Sequence, residues 1–357
     1  MPATFRVATF NAENLFDRAT VLTLENRAEV DKKLAVVEQL RTELQKPVYD
    51  KKVILDLFNQ VKDYIIIRED RGNFWKGQGY KAIKADGAKD WDGAIVFKTE
   101  SFARSTRKNT ARVIKELDAD ILCLDEIEDK PTLEAFNSQL LNSKYPCCML
   151  VDAFDLRGID VALYSKYPLG KIVTHMYDEE GKKRIFSRDC LDVDVQLPSG
   201  QWLHVLCNHL KSRGYGSKEE NDAKRKRQAQ RVADIIKEKY DPEHDLLIVA
   251  GDFNDAPESD ALQPLLTLPG IADVLQMQFP NSPEERWTYH YKKNEQIDFI
   301  LVSRPLQQGF SKAGVLRRGL FGLEKYSKGK ETPYPTVTGF PNAASDHGAV
   351  WADFSLA

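Results

Sequence analysis

The residues best suited to chemistry are Asp252 and Asn254, in the run Gly251-Asp252-Phe253-Asn254. A carboxylate can accept a proton or bind a cation, and an amide can donate a hydrogen bond to an oxyanion. The apolar residues 246–249 lie just before this run and predict a buried strand. On extended backbone, Asp252 and Asn254 point to the same face of the chain. The run therefore indicates a phosphate or metal site, although a polar turn that caps a strand would have the same sequence.

Polar residues flank five other segments that have the pattern of strands. Residues 4–10, 121–124 and 202–207 are each followed by polar residues, and residues 299–302 and 349–351 are each preceded by them. Loops along one edge of a sheet often carry the functional groups of a fold, so these side chains could converge on one cleft. The residues concerned are Asn11, Glu126, His209, Asp298, Asp346 and His347.

The order of these residues resembles that of the endonuclease/exonuclease/phosphatase superfamily, whose members have the DNase I-like fold. The resemblance extends over residues 4–354, nearly the whole chain. It implies an α/β protein built as a four-layer sandwich of two packed mixed β-sheets with outer helices. Strands and helices that follow one another without strict alternation favour the same architecture. The motifs that carry the resemblance are Asn11, Glu126, Asn208-His209-Leu210, Gly251-Asp252-Phe253-Asn254, Ile297-Asp298 and Ser345-Asp346-His347.

The resemblance also implies a role for each residue. Asn11, Glu126 and Asp346 would form the metal site, where oxygen ligands suit Mg²⁺ and Mn²⁺ could substitute. Asp125, next to Glu126, is expected to be a solvated neighbour. The residues implied to be catalytic are His209, Asp252, Asn254, Asp298 and His347.

Two of these residues are candidates for the general base. Asp298 would orient His347 and raise its basicity, so that His347 could take a proton from water. Asp252 could instead hold the attacking water directly, and the sequence does not decide between the two. Asn254 and His209 would stabilise negative charge on the phosphoryl oxygens.

Two basic residues are candidates for binding the substrate phosphate. Arg157 lies just before a strand predicted at residues 160–164, where its guanidinium could bind a phosphoryl oxygen, or it could be a surface Arg in a turn. Lys211 follows His209 closely. The helix predicted at residues 218–240 presents more basic residues, either as a solvated face or as a rim that faces phosphate. These are Lys224, Arg225, Lys226, Arg227 and Arg231.

A long stretch separates the first two site residues, because Asn11 and Glu126 are 115 positions apart. This is longer than is usual in the family, so we predict a single domain at residues 1–357 with an insertion or cap at about residues 17–105. Apolar spacing predicts helices at residues 30–44 and 53–67, and residues 71–92 have the composition of a loop or hairpin. Basic and aromatic residues alternate there, which would suit stacking on a base or sugar; a purely structural flap is the alternative. They are Trp75, Lys76, Tyr80, Lys81 and Lys84.

The composition narrows the possible partners and location. The net charge of -3 gives no overall basic field, which a dedicated, tight DNA-binding protein would usually have. The five Cys are odd in number and lack zinc-site spacing, which is typical of a reducing compartment. No apolar run reaches transmembrane length and no signal segment opens the chain, so we expect a cytoplasmic protein without a membrane span. No feature indicates an obligate protein partner.

The family's members are metal-dependent phosphodiesterases and phosphatases that act on nucleic acids, sphingomyelin, inositol phosphates or nucleotides. The sequence Asn-His-Leu-Lys at residues 208–211 resembles bacterial nuclease-like members. We therefore predict a metal-dependent hydrolase of phosphodiester bonds, with nucleic acid as its first candidate substrate. The alternative is a phosphatase or phosphodiesterase that acts on small-molecule or lipid head-group phosphates. A non-catalytic scaffold of the same fold is less expected, because all six motif positions are present.

Overall fold

The computed structural model of the protein describes residues 3–15, 19–23, 27–77, 79–99, 105–155, 158–214 and 216–356. The strands in these ranges are β1 (Ala3–Leu15), β2 (Ile65–Gly72), β3 (Trp91–Phe97), β4 (Ile121–Ile127), β5 (Cys147–Leu150), β6 (Asp160–Ser165), β7 (Leu169–Thr174), β8 (Glu179–Glu180), β9 (Lys183–Arg184), β10 (Cys190–Gln196), β11 (Trp202–His209), β12 (Leu246–Asp252), β13 (Ala272–Asp273), β14 (Tyr289–His290), β15 (Asn294–Glu295), β16 (Asp298–Val302), β17 (Phe310–Leu316) and β18 (Ala349–Leu356). The α-helices are α1 (Arg27–Leu44), α2 (Lys51–Val61), α3 (Ser105–Leu117), α4 (Lys130–Leu140), α5 (Lys218–Lys239), α6 (Gln263–Leu266), α7 (Val274–Gln278), α8 (Arg304–Gln308) and α9 (Leu323–Tyr326).

The chain divides into two compact units. The larger unit consists of Met1–Phe16 together with Phe102–Ala357, and the smaller one is Asp17–Ser101. We call the smaller unit the insertion unit. The description of residues 1–357 as a single domain with an insertion stays a prediction.

The larger unit contains two six-stranded mixed sheets. The first has the strand order β17-β18-β1-β4-β6-β5, and the second has the order β13-β16-β12-β11-β10-β7. In the first sheet β1 is parallel to β4 and antiparallel to β18, and in the second β11 is parallel to β12 and antiparallel to β10. The fold class predicted from the sequence is therefore confirmed.

Alternation along the strands produces the four layers, because successive side chains of a strand point to opposite faces of its sheet. Val7 and Ile248 belong to a buried cluster that combines side chains of both sheets. Phe10 belongs instead to a cluster with α3 and α4, and Leu247 to a cluster with α5. Each sheet thus packs one face against the other sheet and the other face against helices.

The strand pairing aligns the ends that carry the polar residues. Asn11 on β1 lies opposite Asp125 on β4, where the two strands run parallel. In the second sheet Asp252 on β12 is paired with both His209 on β11 and Asp298 on β16. The pairing register of both sheets therefore places these polar residues side by side.

The insertion unit has its own apolar core, formed by α1, α2 and the antiparallel pair β2–β3. The helix predicted at residues 53–67 is wrong in its second half, because α2 ends at Val61 and Ile65 begins a strand. Residues 65–67 are β-branched, and they are buried, exposed and buried in turn, which is the period of a strand. Among the helices in the described ranges, none is both long and apolar enough to cross a membrane.

Candidate active site

A buried carboxylate, Asp252, lies at the centre of the site. Gly251 precedes it with φ 138°, and a Cβ added there would lie 1.8 Å from the carbonyl oxygen of Asn208. No other residue type fits this close approach of β12 to β11 without moving the backbone. Gly251 therefore allows the end of β12 to press against β11 and brings Asp252 beside His209.

Three hydrogen bonds orient the Asp252 carboxylate. Asn254 donates its backbone N–H to Oδ1 at 2.8 Å and its side-chain amide to Oδ2 at 2.9 Å. Asn11 donates to Oδ2 at 3.1 Å. Asn254 has φ 56°, a left-handed conformation that Asn tolerates better than most residues. The Gly-Asp-x-Asn run therefore forms a local loop around its own carboxylate.

Two histidines lie near the same carboxylate. The Nε2 atom of His209 is 3.4 Å from Oδ2 of Asp252, and that of His347 is 4.0 Å away. Burial alone would raise the pKa of Asp252, but His347, His209 and the backbone N–H of Asn254 lower it to about 2. Burial, followed by repulsion from Arg188, lowers the pKa of His209. Asp252 is therefore ionised at neutral pH.

His347 and Asp298 form a buried pair. The Nδ1 atom of His347 is 2.9 Å and 3.1 Å from the two carboxylate oxygens of Asp298, as the sequence predicts for an oriented dyad. Its ring also lies against Tyr289, with 5.0 Å between the ring centroids. Burial lowers the pKa of His347, but Asp298, Asp346 and Asp252 more than offset this and hold it well above its usual range. With Nδ1 occupied, Nε2 is the atom that His347 can offer to a substrate.

Further carboxylates lie at the solvent side of this pair. Asp346, with 47% of its side chain exposed, has Oδ1 3.7 Å from Nε2 of His347. Glu126 lies one residue before the end of β4 and has φ 63°. Desolvation, then repulsion from Asp346 and Glu126, raises the pKa of Glu13 to about 7, although this residue lies at the solvent edge. Three carboxylates that repel one another are chemically suited to an oxygen-liganded divalent cation.

A second arrangement could also hold a metal ion. Ligand atoms of Asp252, Asp298 and His347 lie within 4.8 Å of one another, and all three residues are buried. Their atoms, however, already bond to one another and to Asn11 and Asn254. The Glu126–Asp346 side offers only oxygens, which is the donor set that Mg²⁺ prefers.

The expectation that Asp125 is a solvated neighbour is wrong. Asp125 is fully buried, and its Oδ2 accepts the backbone N–H of Asp252 at 2.9 Å. Burial and the charges of Asp252 and Asp298 raise its pKa well above the usual value. Its Oδ1 has no hydrogen-bond partner among the described residues. Asp125 thus joins the first sheet to the second directly beneath the site.

Three of the basic residues of α5 contact carboxylates of the protein itself. Arg225 is fully buried and bonds to Asp255 and to the carbonyl of Lys211, so its prediction as part of a solvated or phosphate-facing surface is wrong. Arg231 is paired with Asp178, and Arg227 lies 3.6 Å from a glutamate oxygen. The amphipathic pattern predicted the helix correctly, but it could not show that Arg225 would be buried and would hydrogen-bond inside the protein.

Two basic residues were predicted to bind the substrate phosphate. Lys211 directs Nζ to the carbonyls of Ser212 at 3.1 Å and Gly214 at 2.7 Å. Arg157 lies outside the described residues. Sequence reasoning missed Arg188, which is buried, contacts Asp155 at 3.2 Å and donates to the carbonyl that follows His209. It brings a positive charge to the His209 side of the site.

A small cavity of about 50 Å³ lies beside the carboxylates. Glu13 and Asp346 line it on one side, and aromatic rings line much of the remainder. His290 stacks on Tyr326 there, with 3.7 Å between ring centroids. The cavity therefore offers an apolar surface next to the proposed cation ligands.

A model of the Endonuclease/Exonuclease/phosphatase family matches residues 99–347 of the chain. These residues contain Glu126, His209, Asp252, Asp298 and His347. The match therefore covers most of the larger unit and leaves out most of the insertion unit.

Individual proteins with known sequences or structures are also similar to this chain. A sphingomyelinase C from Leptospira interrogans is 24% identical over 160 residues, which are 43% of this chain and 28% of that protein, so this chain spans less than a third of the curated relative it matches. An endonuclease/exonuclease/phosphatase family protein from Bacteroides thetaiotaomicron superposes over 100% of this chain and 99% of its own, with 14% identity and a TM-score of 0.54. An AP endonuclease from Archaeoglobus fulgidus covers 70% of this chain and 94% of its own, with 18% identity and a TM-score of 0.50. At such identities the two solved structures show a shared fold.

Proposed function

The chain belongs to the Endonuclease/Exonuclease/phosphatase family, and from this premise we propose that it is a Mg²⁺-dependent phosphodiesterase that cleaves nucleic acid. The observation that carries the proposal is the arrangement around Asp252. An ionised, buried carboxylate is held by two asparagines and lies within 4.0 Å of two imidazoles. A carboxylate held in one orientation can accept a proton from water, and nearby imidazoles can donate hydrogen bonds to a phosphate ester under attack.

Glu126 and Asp346, with Asn11 nearby, are the residues that we propose to hold the metal ion. When bound there, the ion would supply positive charge that polarises a phosphoryl oxygen and stabilises the leaving oxygen. Burial, followed by repulsion from Asp346 and Glu126, raises the pKa of Glu13, and this repulsion supports a cation at this position. Mn²⁺ would serve in place of Mg²⁺, because both accept oxygen ligands.

We assign the general base to Asp252 because of its position and its ionised state. Both N–H groups of the Asn254 amide are engaged, one by Asp252 and one by the carbonyl of Leu210. We therefore propose that Asn254 orients the base, in place of the predicted catalytic role in which it stabilises negative charge on the phosphoryl oxygens. His347, fixed by Asp298, would donate from Nε2 to a phosphoryl oxygen, and His209 would hold Asp252 from the other side.

Nucleic acid is our first choice of substrate class because the Asn-His-Leu-Lys sequence at residues 208–211 resembles nuclease-like members. Phosphodiesters of lipid head groups are the second choice. This alternative is favoured by a specific observation, the sequence similarity to a protein named sphingomyelinase C. The two substrates need the same chemistry at phosphorus, so the arrangement around Asp252 does not separate them.

A panel of substrates tests the proposal. The full-length chain would be incubated with Mg²⁺ and plasmid DNA, single-stranded DNA, RNA, sphingomyelin vesicles or bis(p-nitrophenyl) phosphate. We expect nucleic acid to be cleaved with the highest kcat/KM. Higher kcat/KM for sphingomyelin would replace the first substrate with the second, and no Mg²⁺-dependent turnover of any substrate would refute the phosphodiesterase itself.

A further inference from the structure

The insertion unit contains a groove that the proposed catalytic reaction does not use. Its volume is about 570 Å³, within the usual range for ligand pockets. Its lining residues fall between residues 55 and 98, outside the matched family region, which begins at residue 99. We propose that this groove binds a nucleotide unit of a single-stranded nucleic acid, with the base on Tyr80 and the phosphates on three lysines.

Tyr80 supplies an aromatic face for a base. Tyr80 is 52% exposed. Its ring packs against the rings of Trp75 and Phe58, with 5.1 Å and 5.9 Å between the ring centroids. This packing fixes the orientation of the ring while leaving part of it open to solvent. Trp75 is only 6% exposed, so the expectation that it could stack on a base is wrong. Among the described residues that line the groove, Tyr80 therefore provides the exposed ring for stacking.

Three lysines, Lys62, Lys81 and Lys98, line the same groove. In the part of the chain that the structure describes, none of the three has a carboxylate within ion-pair distance. Lys98 instead donates to the carbonyl of Lys62 at 2.7 Å. Asp63 is the acidic residue among the groove's lining residues. The groove thus has an excess of positive charge, which complements a phosphate backbone.

The combination of groups favours a nucleic acid over a lipid surface. Single-stranded nucleic acids are bound where basic side chains follow the backbone and aromatic rings stack on the bases. An interfacial membrane contact would need a broad apolar face. The groove instead exposes Ile66 and Tyr80, and the exposed Val48 and Val53 of the same unit do not line it.

The experiment measures binding separately from cleavage. A fluorescently labelled oligo(dT) is titrated with the full-length chain in EDTA, and anisotropy gives Kd at several salt concentrations. Stacking energies of single bases predict that Tyr80→Ala weakens binding by about tenfold, whereas Tyr80→Phe stays within about twofold of the wild type. Lys81→Ala should weaken binding and reduce the salt slope by about 0.7, as for one lost single-strand phosphate contact.

Lys52→Ala is the matched control, because Lys52 is an exposed lysine of the same unit that does not line the groove. It should leave Kd and the salt slope unchanged. Hydrolysis of bis(p-nitrophenyl) phosphate should be unaffected in all these variants. Tyr80-dependent binding would support the groove even if the chain failed to cleave nucleic acid, so the two proposals can fail separately.

Three outcomes would overturn the inference. One is wild-type Kd in both Tyr80→Ala and Lys81→Ala. Another is an equal loss of affinity in Lys52→Ala, which would indicate unspecific charge attraction. The third is binding of phosphatidylserine vesicles that depends on Tyr80, with no such dependence for oligo(dT). Lys81→Ala keeps the test valid if Tyr80→Ala lowers the melting temperature of the protein.

Discussion

The pairing of His347 with Asp298 can be tested by a double-mutant cycle. Asp298→Asn keeps the shape of the side chain and removes its charge, and His347→Gln removes the imidazole. If the two residues act as one unit, the double variant should be little worse than His347→Gln alone. This follows from the 2.9 Å contact between Nδ1 and Oδ2, which makes the orientation of the ring depend on the carboxylate.

The expected magnitudes follow from the role of the pair as one positioned acid–base unit. Loss of a positioned acid–base group typically lowers kcat by about 10²- to 10⁴-fold. If each single change costs about 10³-fold, independent effects would give about 10⁶-fold in the double variant, and a coupled unit about 10³-fold. The difference corresponds to a coupling free energy of about 4 kcal/mol.

Stability should change as well, because Asp298 is fully buried. Removing one partner of a buried ion pair costs about 3–5 kcal/mol. For Asp298→Asn we expect stability to fall by about 3 kcal/mol, the lower end of this range. The reason is that Asp346 and Asp252 still face Nε2 of His347, at 3.7 Å and 4.0 Å. Thermal melting checks this value and shows that the variants are folded before kcat is compared.

The pH dependence gives a second readout of the same unit. The carboxylates raise the pKa of His347, so its protonated form persists above the usual range and is lost as pH rises through the folded-state pKa. As a proton donor, His347 would give a fall in kcat on the alkaline side. Asp298→Asn should move that fall to lower pH, because it removes the largest contribution that raises the pKa.

A matched control comes from another buried acid of the same sheet. Asp273 accepts from Gln296 at 2.8 Å and caps α7 through the backbone N–H of Leu275. Asp273→Asn should lower stability but leave kcat and its pH profile unchanged. Additive losses in the double-mutant cycle, or a kcat that rises with pH through the His347 titration, would refute the donor unit.

Substitutions at three more residues probe the surrounding site. Glu126→Gln should weaken apparent Mg²⁺ affinity by at least about tenfold with little change in melting temperature, because loss of a residue that holds or orients a metal ion commonly costs about 10- to 100-fold in affinity. An unchanged Mg²⁺ titration of turnover would exclude Glu126 as a ligand. Asp125→Asn should cost at most about 1 kcal/mol of stability, because burial raises the pKa of the carboxyl and so favours its neutral form, which Asn resembles. Asp125→Leu should cost about 1–3 kcal/mol, because it leaves the backbone N–H of Asp252 unpaired, and chemical denaturation distinguishes the two variants. Gly251→Ala should destabilise the fold by at least about 2 kcal/mol, because its Cβ would meet the backbone of Asn208, and a stable, active variant would contradict the close approach.

Much of the site could be predicted because polar residues at strand ends are visible in the sequence. The buried strand before Asp252 was predicted from a continuous apolar run, and β12 has that position. The pairing of His347 with Asp298 was implied by the family order and is present at hydrogen-bond distance. These features depend on local pattern and on the order of motifs, both of which a single sequence contains.

Other features depend on register between distant segments, which the sequence does not display. Asp125 is buried because β1 and β12 lie against the end of β4, so its Oδ2 meets the backbone of Asp252. Arg225 is buried because a loop folds over α5 and offers Asp255. In the insertion unit, residues 65–67 form a strand because β3 is available as a partner. Each of these features could be predicted only if the segment that packs against it were known.

The central claim is that Asp252 is the ionised base of a metal-dependent phosphodiesterase, and turnover of bis(p-nitrophenyl) phosphate tests it most directly. The wild type and Asp252→Asn would be compared in Mg²⁺, in EDTA, and after Mg²⁺ or Mn²⁺ is restored. We expect turnover that is lost in EDTA and recovered with either ion, and a fall in kcat of at least about 10²-fold in Asp252→Asn. Full turnover in EDTA, or wild-type kcat in Asp252→Asn with the same metal dependence, would contradict the claim.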